Sequence, residues 1–295
     1  MKKLLKLVRL CLNSIVYLTY KSPLVIQAYV KVRFGKIVHS NWGDDLNVFL
    51  LERLTGKPIV VANESLFHKL LNIPTYFCIG SVISLYSKSN AEIWGAGYIE
   101  KNENKISPAK RILMVRGRAT RDKLLSEGFA CPEIYGDPAI LVSKVYTPSK
   151  IGHYKIGLIP HVSERNSTLL DNVRKKYSNI LYIDLENYEK WTDVVDKIYS
   201  CDIILSSSLH GLIVSDSYGV PNVWTKFTMN EIRGGNFKFL DYFSSVERDD
   251  KYPIIIETEE QLIDYFNTDI QVNKLNINYD SMIKSCPFSI KIDNI

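Results

Sequence analysis

The chain has 295 residues, 46% of them hydrophobic and 23% charged, with a formal net charge of +5. That length suits about two domains, and the composition excludes a disordered chain. The modest charge permits acidic ligands or an anionic membrane surface, while no basic run interleaved with aromatics marks a reader of single-stranded nucleic acid.

The first element is a basic amphipathic helix over residues 1–22, "MKKLLKLVRLCLNSIVYLTYKS". On a wheel of 100° per residue, Lys2, Lys3, Lys6, Arg9, Asn13 and Tyr20 fall on one side. Leu4, Val8, Cys11, Leu12, Ile15 and Leu18 fall on the other. Its charge-free stretch is shorter than the roughly 20 residues a span needs, and Lys6 and Arg9 interrupt any signal-peptide core. Two readings stay open: a helix lying in a membrane interface, or one packed on its own domain through Leu4, Val8, Ile15 and Leu18.

Strand-like runs then alternate with helical patterns. "PIVV" (from Pro58), "YFCIG" (from Tyr76), "EIWGAG" (from Glu92) and "ILMVRG" (from Ile112) form one series. "KIGLIPH" (from Lys155), "NILYIDL" (from Asn179), "DIILSSS" (from Asp202) and "PNVW" (from Pro221) form a second, with helical stretches such as "WTDVVDKIYSC" between. This alternation predicts α/β architecture, parallel sheets covered by helices on both faces. The polar, turn-rich "VYTPSKIGHY" from Val145 is the expected linker. The domains are therefore read as 23–147 and 148–268, with a C-terminal tail, 269–295, available to pack back on the first. Cys11, Cys78, Cys131, Cys201 and Cys286 are scattered and form no CxxC pair, which argues against a disulfide framework or structural zinc and for a reducing compartment.

Turn chemistry gathers where the first-series runs end: "NWGDDLN" (from Asn41), "IGSVI" (from Ile79), "WGAGYI" (from Trp94) and "GDPAIL" (from Gly136). Glycine at such places lets backbone approach a ligand. No dinucleotide fingerprint and no Walker loop is present. In "VRGRATRDKLLSEG", Arg116 and Arg118 follow a strand, and guanidinium forks match phosphate and carboxylate bidentately. Arg121 reads instead as a solvated helix start. "SSSLHGLIVSDSYG" from Ser206 reads as strand, turn, helix. It puts Ser207, Ser208, Leu209 and His210 at the carboxyl end of a strand, where open α/β sheets bind ligands and helix N–H groups favour anions. His161 closes another strand run in the same series.

Taken in order, "NWGDDLN", "IGSVI", "WGAGYI", "VRGRATRDKLLSEG", "YGDPAIL", "KIGLIPH", "SSSLHGLIVSDSYGVPNVW" and "GGNFKFLDYFSSV" resemble the polysaccharide pyruvyltransferase family over roughly Val32 to Val246. The resemblance implies two Rossmann-like domains facing across a cleft, as in GT-B glycosyltransferases. The implied reaction moves a pyruvyl group from phosphoenolpyruvate to two hydroxyls of one sugar, forming a cyclic ketal and releasing phosphate. Arg118 stands where family members often have proline, and Ser208 where some have arginine.

On this reading His210 and Asp44 are the catalytic candidates. Arg116, Arg118, Ser207, Ser208, Leu209 and His161 bind the donor. Asn41, Trp42, Asp45, Gly80, Ser81 and Gly95 face the acceptor, a lipid-linked oligosaccharide. No metal and no cofactor is expected, phosphoenolpyruvate being a co-substrate. The expected place is the cytoplasm, peripherally on the inner membrane face. The rival reading is a GT-B glycosyltransferase with a nucleotide-sugar donor, which would use the same serines for a diphosphate.

Overall fold

A computed structural model of the chain describes residues 1–39, 41–66, 73–86, 89–104, 109–228, 234–268 and 271–292. It divides into two compact units, one of residues 1–138 with 277–295 and one of residues 139–276. The division falls at Pro138–Ala139, ahead of the polar stretch from Val145.

In the first unit, helix α1 (Lys2–Tyr17) leads to strand β1 (Leu24–Ile26) and a hairpin of β2 (Lys31–Arg33) and β3 (Lys36–Val38). Helix α2 (Trp42–Thr55), β4 (Ile59–Val61) and β5 (Thr75–Phe77) follow. The series continues through α3 (Ile83–Tyr86), β6 (Ala91–Trp94), β7 (Arg111–Met114) and α4 (Arg118–Ser126). The sheet is parallel throughout, in the order β4-β1-β5-β6-β7. Its strands are three or four residues long. Val25, Ile26, Val60, Phe77 and Ile93 among them are buried, as a sheet covered on both faces demands.

The second unit repeats the plan. Strand β8 (Tyr154–Ile159) leads to α5 (Thr168–Lys176), β9 (Ile180–Tyr182) and α6 (Trp191–Tyr199). Then come β10 (Cys201–Ser206), α7 (Leu209–Ser217), β11 (Asn222–Lys226), α8 (Phe237–Val246), β12 (Ile254–Ile255) and α9 (Glu259–Ile263). The order is β12-β11-β10-β8-β9, again all parallel. Ile156, Leu158, Leu170, Val173, Ile203 and Leu205 build one buried cluster beneath it. Counted within each unit and leaving out the hairpin, both sheets run 2-1-3-4-5. That order reverses between its first and third strands, so each unit has a crevice there at the strands' carboxyl ends. The α/β class with parallel, Rossmann-like sheets is thus present in both halves.

Residues 277–295 return to the first unit, where α10 (Tyr279–Lys284) accepts at Met282 O from Trp94 Nε1 at 3.0 Å. Phe288 packs edge-on against Trp94 and Tyr76. Residues 269, 270 and 293–295 of the expected tail lie outside the described residues.

Helix α1 docks by a face the helical wheel did not single out. Leu10, Asn13, Ser14 and Tyr17, at i, i+3, i+4 and i+7, are buried. Asn13 Nδ2 donates to Val32 O and Glu64 O at 3.0 and 3.1 Å, and Asn13 Oδ1 accepts from Gly35 N at 3.3 Å. Ser14 Oγ accepts from Leu66 N at 2.8 Å, and Arg9 pairs with Glu64 at 2.9 Å. Packing through Leu4, Val8, Ile15 and Leu18 is therefore ruled out for this unit, since all four are exposed. Backbone groups left unpaired by the edge of the hairpin and by residues 64–66 select the polar face of the helix. Among the described residues no helix is long and apolar enough to cross a membrane.

Replacing Asn13 with leucine would leave two buried carbonyls and one N–H without their partner, at a cost of about 2–4 kcal/mol. The urea midpoint of Asn13→Leu should fall accordingly. A midpoint equal to that of the unaltered chain would show that α1 is only loosely attached.

Candidate active site

In the second unit the crevice lies where β8 and β10 end. Ser207 N donates to Ile159 O at 3.1 Å, and Ser207 Oγ accepts from His161 N at 2.7 Å. Ser206 Oγ accepts from Ser208 N at 3.0 Å and lies 3.1 Å from Ile159 O. The first two hydroxyls of "SSS" therefore knit the two strand ends together. Both serines are fully buried. Gly211 admits this arrangement, because a Cβ there would sit 2.4 Å from Ser206 Oγ.

Ser208 is the N-cap of α7 and makes no side-chain capping bond. The first N–H groups of a helix have no acceptor within it and carry the positive end of the helix dipole. Leu209 and His210 occupy this first turn, both buried. A helix start thus stands at the end of β10, as the strand–turn–helix reading of this stretch has it. The Ser207 hydroxyl there positions the His161 backbone.

His161 is held by its own loop: Nδ1 lies 2.8 Å from Ser163 Oγ and accepts from Ser163 N at 3.3 Å. An accepting Nδ1 places the ring proton on Nε2. Burial, and second the positive charge of Lys238, push the His161 pKa down to about 4. The ring is therefore a neutral donor at physiological pH. Lys238, in the first turn of α8, lies over the Phe239 ring and brings a cation to this neighbourhood that the motif reading had not assigned. Glu164, buried three residues past His161, accepts from Phe227 N and Thr228 N at 3.2 Å, tying this loop to the end of β11.

The His161 shift has a definite sign. An unfolded histidine titrates near 6.5, so between pH 6.5 and about 4 the unfolded chain binds the extra proton. Stability present above pH 6.5 is lost as pH falls through that window, by up to about 3 kcal/mol. His161→Gln should flatten this part of the stability–pH curve. An unchanged slope in the variant would assign the acid sensitivity elsewhere.

In the first unit the crevice lies beside β1 and β5. Asn41 caps α2, accepting from Gly43 N at 3.2 Å, and donates to Asp44 Oδ2 at 2.8 Å. Asn47 exchanges two 3.0 Å bonds with Ile79, which brings the α2 start against the loop after β5. Gly80 has φ +98°, and a Cβ there would lie 3.4 Å from Asp44 Oδ1. Asp44, Gly80 and Ser81 are thus gathered, with Asp44 only half-buried.

The other candidates sit deeper. Trp42 is fully buried in the core. Asp45 is fully buried, with Oδ2 3.7 Å from His39 Nδ1. Gly95, at φ +101°, packs under Pro138, where a Cβ would clash at 2.2 Å.

Arg116 is fully buried too. Its Nη1 donates to Ser81 Oγ and its Nη2 to Tyr98 O, each at 2.6 Å. Gly97 leaves room for that guanidinium, which a Cβ would meet at 2.5 Å. Arg118 is exposed at the start of α4, over the Tyr135 ring at 5.1 Å. Arg121, read from the sequence as a solvated helix start, is instead largely covered and ties down the 131–133 loop through Cys131 O and Glu133. Arg116, Arg118 and Asp44 belong to the first unit; His161, Ser207, Ser208, Leu209 and His210 to the second. Among the described residues no group of three or more His, Cys, Asp or Glu could hold a metal ion.

Residues 43–225 match the family model described as polysaccharide pyruvyl transferase, a span that takes in Asp44, Arg116, His161 and His210. The chain is 30% identical over 259 residues, 84% of its length and 85% of the relative's, to the uncharacterized protein L143 of Acanthamoeba polyphaga mimivirus. It is 29% identical over 203 residues to the succinoglycan biosynthesis protein ExoV of Rhizobium meliloti (strain 1021), covering 66% of this chain and 58% of that protein. With the motifs falling at the carboxyl ends of two parallel sheets, the chain belongs to the polysaccharide pyruvyl transferase family, a transferase of pyruvyl groups in polysaccharide biosynthesis with a saccharide acceptor.

Proposed function

We propose that the donor is phosphoenolpyruvate and that the product is a cyclic pyruvate ketal bridging two hydroxyls of one sugar, with release of phosphate. The observation that carries this reading is the second unit's crevice. It combines the opening turn of α7, the neutral His161 and the charge of Lys238 with a second imidazole, His210. An anion bound at a helix start beside an imidazole, a side chain able to take up and give back a proton, suits a reaction that must both hold phosphate and move protons.

The chemistry balances as follows. A proton is delivered to the methylene carbon of the enol, and one sugar hydroxyl adds to the central carbon. The phosphate leaves with its bridging oxygen, and the second hydroxyl closes the ring. Each hydroxyl gives up one proton. His210 is the proposed proton carrier, and Asp44 the proposed base or contact for the acceptor. Leu209 and Ser208 contribute backbone at the helix start, and Arg118 a guanidinium for the donor's second anionic group. Asn41, Gly80 and Ser81 shape the acceptor side with Asp44. Asp45, Trp42 and Gly95 act beneath them through packing.

The reading includes the two-domain, GT-B-like plan, with acceptor assigned to the first unit and donor to the second. It also includes a lipid-linked acceptor and a cytoplasmic enzyme held peripherally at the membrane face.

The test is incubation with phosphoenolpyruvate and candidate lipid-linked oligosaccharides. A mass gain matching a pyruvyl ketal, with equimolar phosphate, is expected, and it should persist in EDTA because helix N–H groups and cations can neutralise the donor. Transfer of a sugar from a nucleotide-sugar panel instead would establish the glycosyltransferase reading. Abolition by EDTA with rescue by magnesium would make Asp44 and Asp45 metal ligands.

A further inference from the structure

Helix α1 buries Leu10, Asn13, Ser14 and Tyr17 and leaves most of its other apolar residues outward. Leu4, Leu5, Ile15 and Leu18 each keep 60–70% of their surface exposed. Single exposed leucines need no explanation, but a contiguous apolar surface shared by two elements marks a contact site. Here the second element is the β2–β3 hairpin. Its turn, Arg33–Phe34–Gly35–Lys36, has φ +52° at Phe34 and +73° at Gly35, the signs of a type I′ turn. Asparagine or glycine suits the first of those positions, and a bulky aromatic is strained there. Phe34 nevertheless occupies it with 53% of its surface exposed. Gly35 is pressed against Val16 and bonded to Asn13, so the tip is fixed to α1 and Phe34 is held outward by that attachment.

Between helix and tip runs a groove of about 620 Å3. Its floor is apolar, from Leu5, Val8, Leu12 and Phe34, and its remaining lining is basic, from Lys6, Arg9 and Arg33. Among the described residues no acidic one lines it. Arg33 lies over the Phe34 ring at 5.5 Å, and Arg9 reaches Glu64 with one Nη at 2.9 Å. An apolar floor under a cationic rim matches an amphiphile with an anionic head. A second copy of this chain would bring the same cations against it, which like charge disfavours.

We propose that the groove between α1 and the β2–β3 hairpin is a docking surface for the anionic phospholipids of a bilayer, with Phe34, Leu5 and Val8 entering the interface and Lys6 and Arg33 meeting headgroups. The proposal rests on the peripheral-membrane reading and gives it a surface. The helix lies along the interface without spanning it. The hairpin supplies a wedge that an amphipathic helix alone lacks.

The experiment sediments the full chain with vesicles of phosphatidylcholine alone or mixed with phosphatidylglycerol. Binding to the mixed vesicles only, weakened by salt, is expected. Phe34→Ser, and separately Leu5→Ser with Val8→Ser, should lower the partition coefficient by at least about tenfold, with melting temperature and phosphate release on a soluble acceptor unchanged. Phe34→Trp should shift its emission to the blue on the mixed vesicles. If the intact chain sediments and the serine variants do so equally, the groove is refuted while membrane attachment stands. If the intact chain binds neither vesicle, both fall. Equal binding to the neutral vesicles removes the anionic headgroup, and a dimer in light scattering that the leucine–valine variant dissociates replaces the bilayer with a second copy. None of these outcomes touches the transfer reaction, which is read in solution.

Discussion

His210→Ala is expected to cut turnover by about 10²–10⁴-fold, the range for loss of a group that moves protons, while phosphoenolpyruvate affinity falls far less. The argument rests on place and on neighbours. His210 stands in the first turn of α7. The strand ends that precede it are locked by Ser206 and Ser207, so its backbone position is set by bonds that its own ring does not make. Alanine removes the imidazole and keeps the helix start, where the donor's anion is proposed to sit. Single-turnover phosphate release measures the chemical step, and calorimetry with phosphoenolpyruvate measures binding. Near-normal turnover in the variant would remove His210 from the mechanism. An equal loss in both measurements would make it a donor ligand instead. His161→Ala is the informative companion, since its depressed pKa gives it no proton to deliver near neutrality.

The strand–helix alternation was legible wherever a strand was an apolar run closed by glycine or small polar residues. All eight anticipated runs contain strands, β4 to β7 and β8 to β11. The missing ones are short. Strand β1, Leu24–Ile26, lies inside its sheet, between β4 and β5. Three residues after a helix and a proline carry no periodicity to detect. The hairpin has a two-residue turn with phenylalanine where asparagine would have announced it.

The serines show a different limit. "SSSLHG" was correctly read as strand, turn, helix, but sequence does not say which hydroxyl faces a neighbouring strand. Two of the three bond Ile159, His161 and Ser208. The same limit inverted α1. A helical wheel separates a charged side from an apolar one, whereas the face that docks is set by backbone groups at Val32, Gly35 and Glu64, 19 to 51 residues away. Lys238 lies within "GGNFKFLDYFSSV", where nothing in the pattern assigns it a role, and it becomes legible only through its effect on His161.

Arg116→Lys should lower the melting temperature by several degrees and weaken donor binding with it, although the charge is kept. The guanidinium spans two groups in its plane, Ser81 Oγ and Tyr98 O, both at 2.6 Å, and Gly97 leaves the space it fills. A lysine ammonium is a point donor on a flexible stem and cannot reproduce that fork. One of the two partners, the part-buried Ser81 Oγ or the buried Tyr98 O, is then left unsatisfied, at about 1–3 kcal/mol. For a domain of this size each kcal/mol moves the melting temperature by about 2–4 °C. The loop that loosens carries Ser81 and, next to it, Gly80, whose backbone lies against Asp44. Catalysis should therefore suffer through the acceptor side as well, seen as a raised KM for the sugar. Arg116→Met, which fills the space without any donor, should be worse in both respects. An unchanged melting temperature in the lysine variant would mean that the two bonds are not holding the loops. Unchanged affinity for phosphoenolpyruvate at a lowered melting temperature would leave Arg116 as a brace for residues 80–81 and 97–98 and take it out of the donor site.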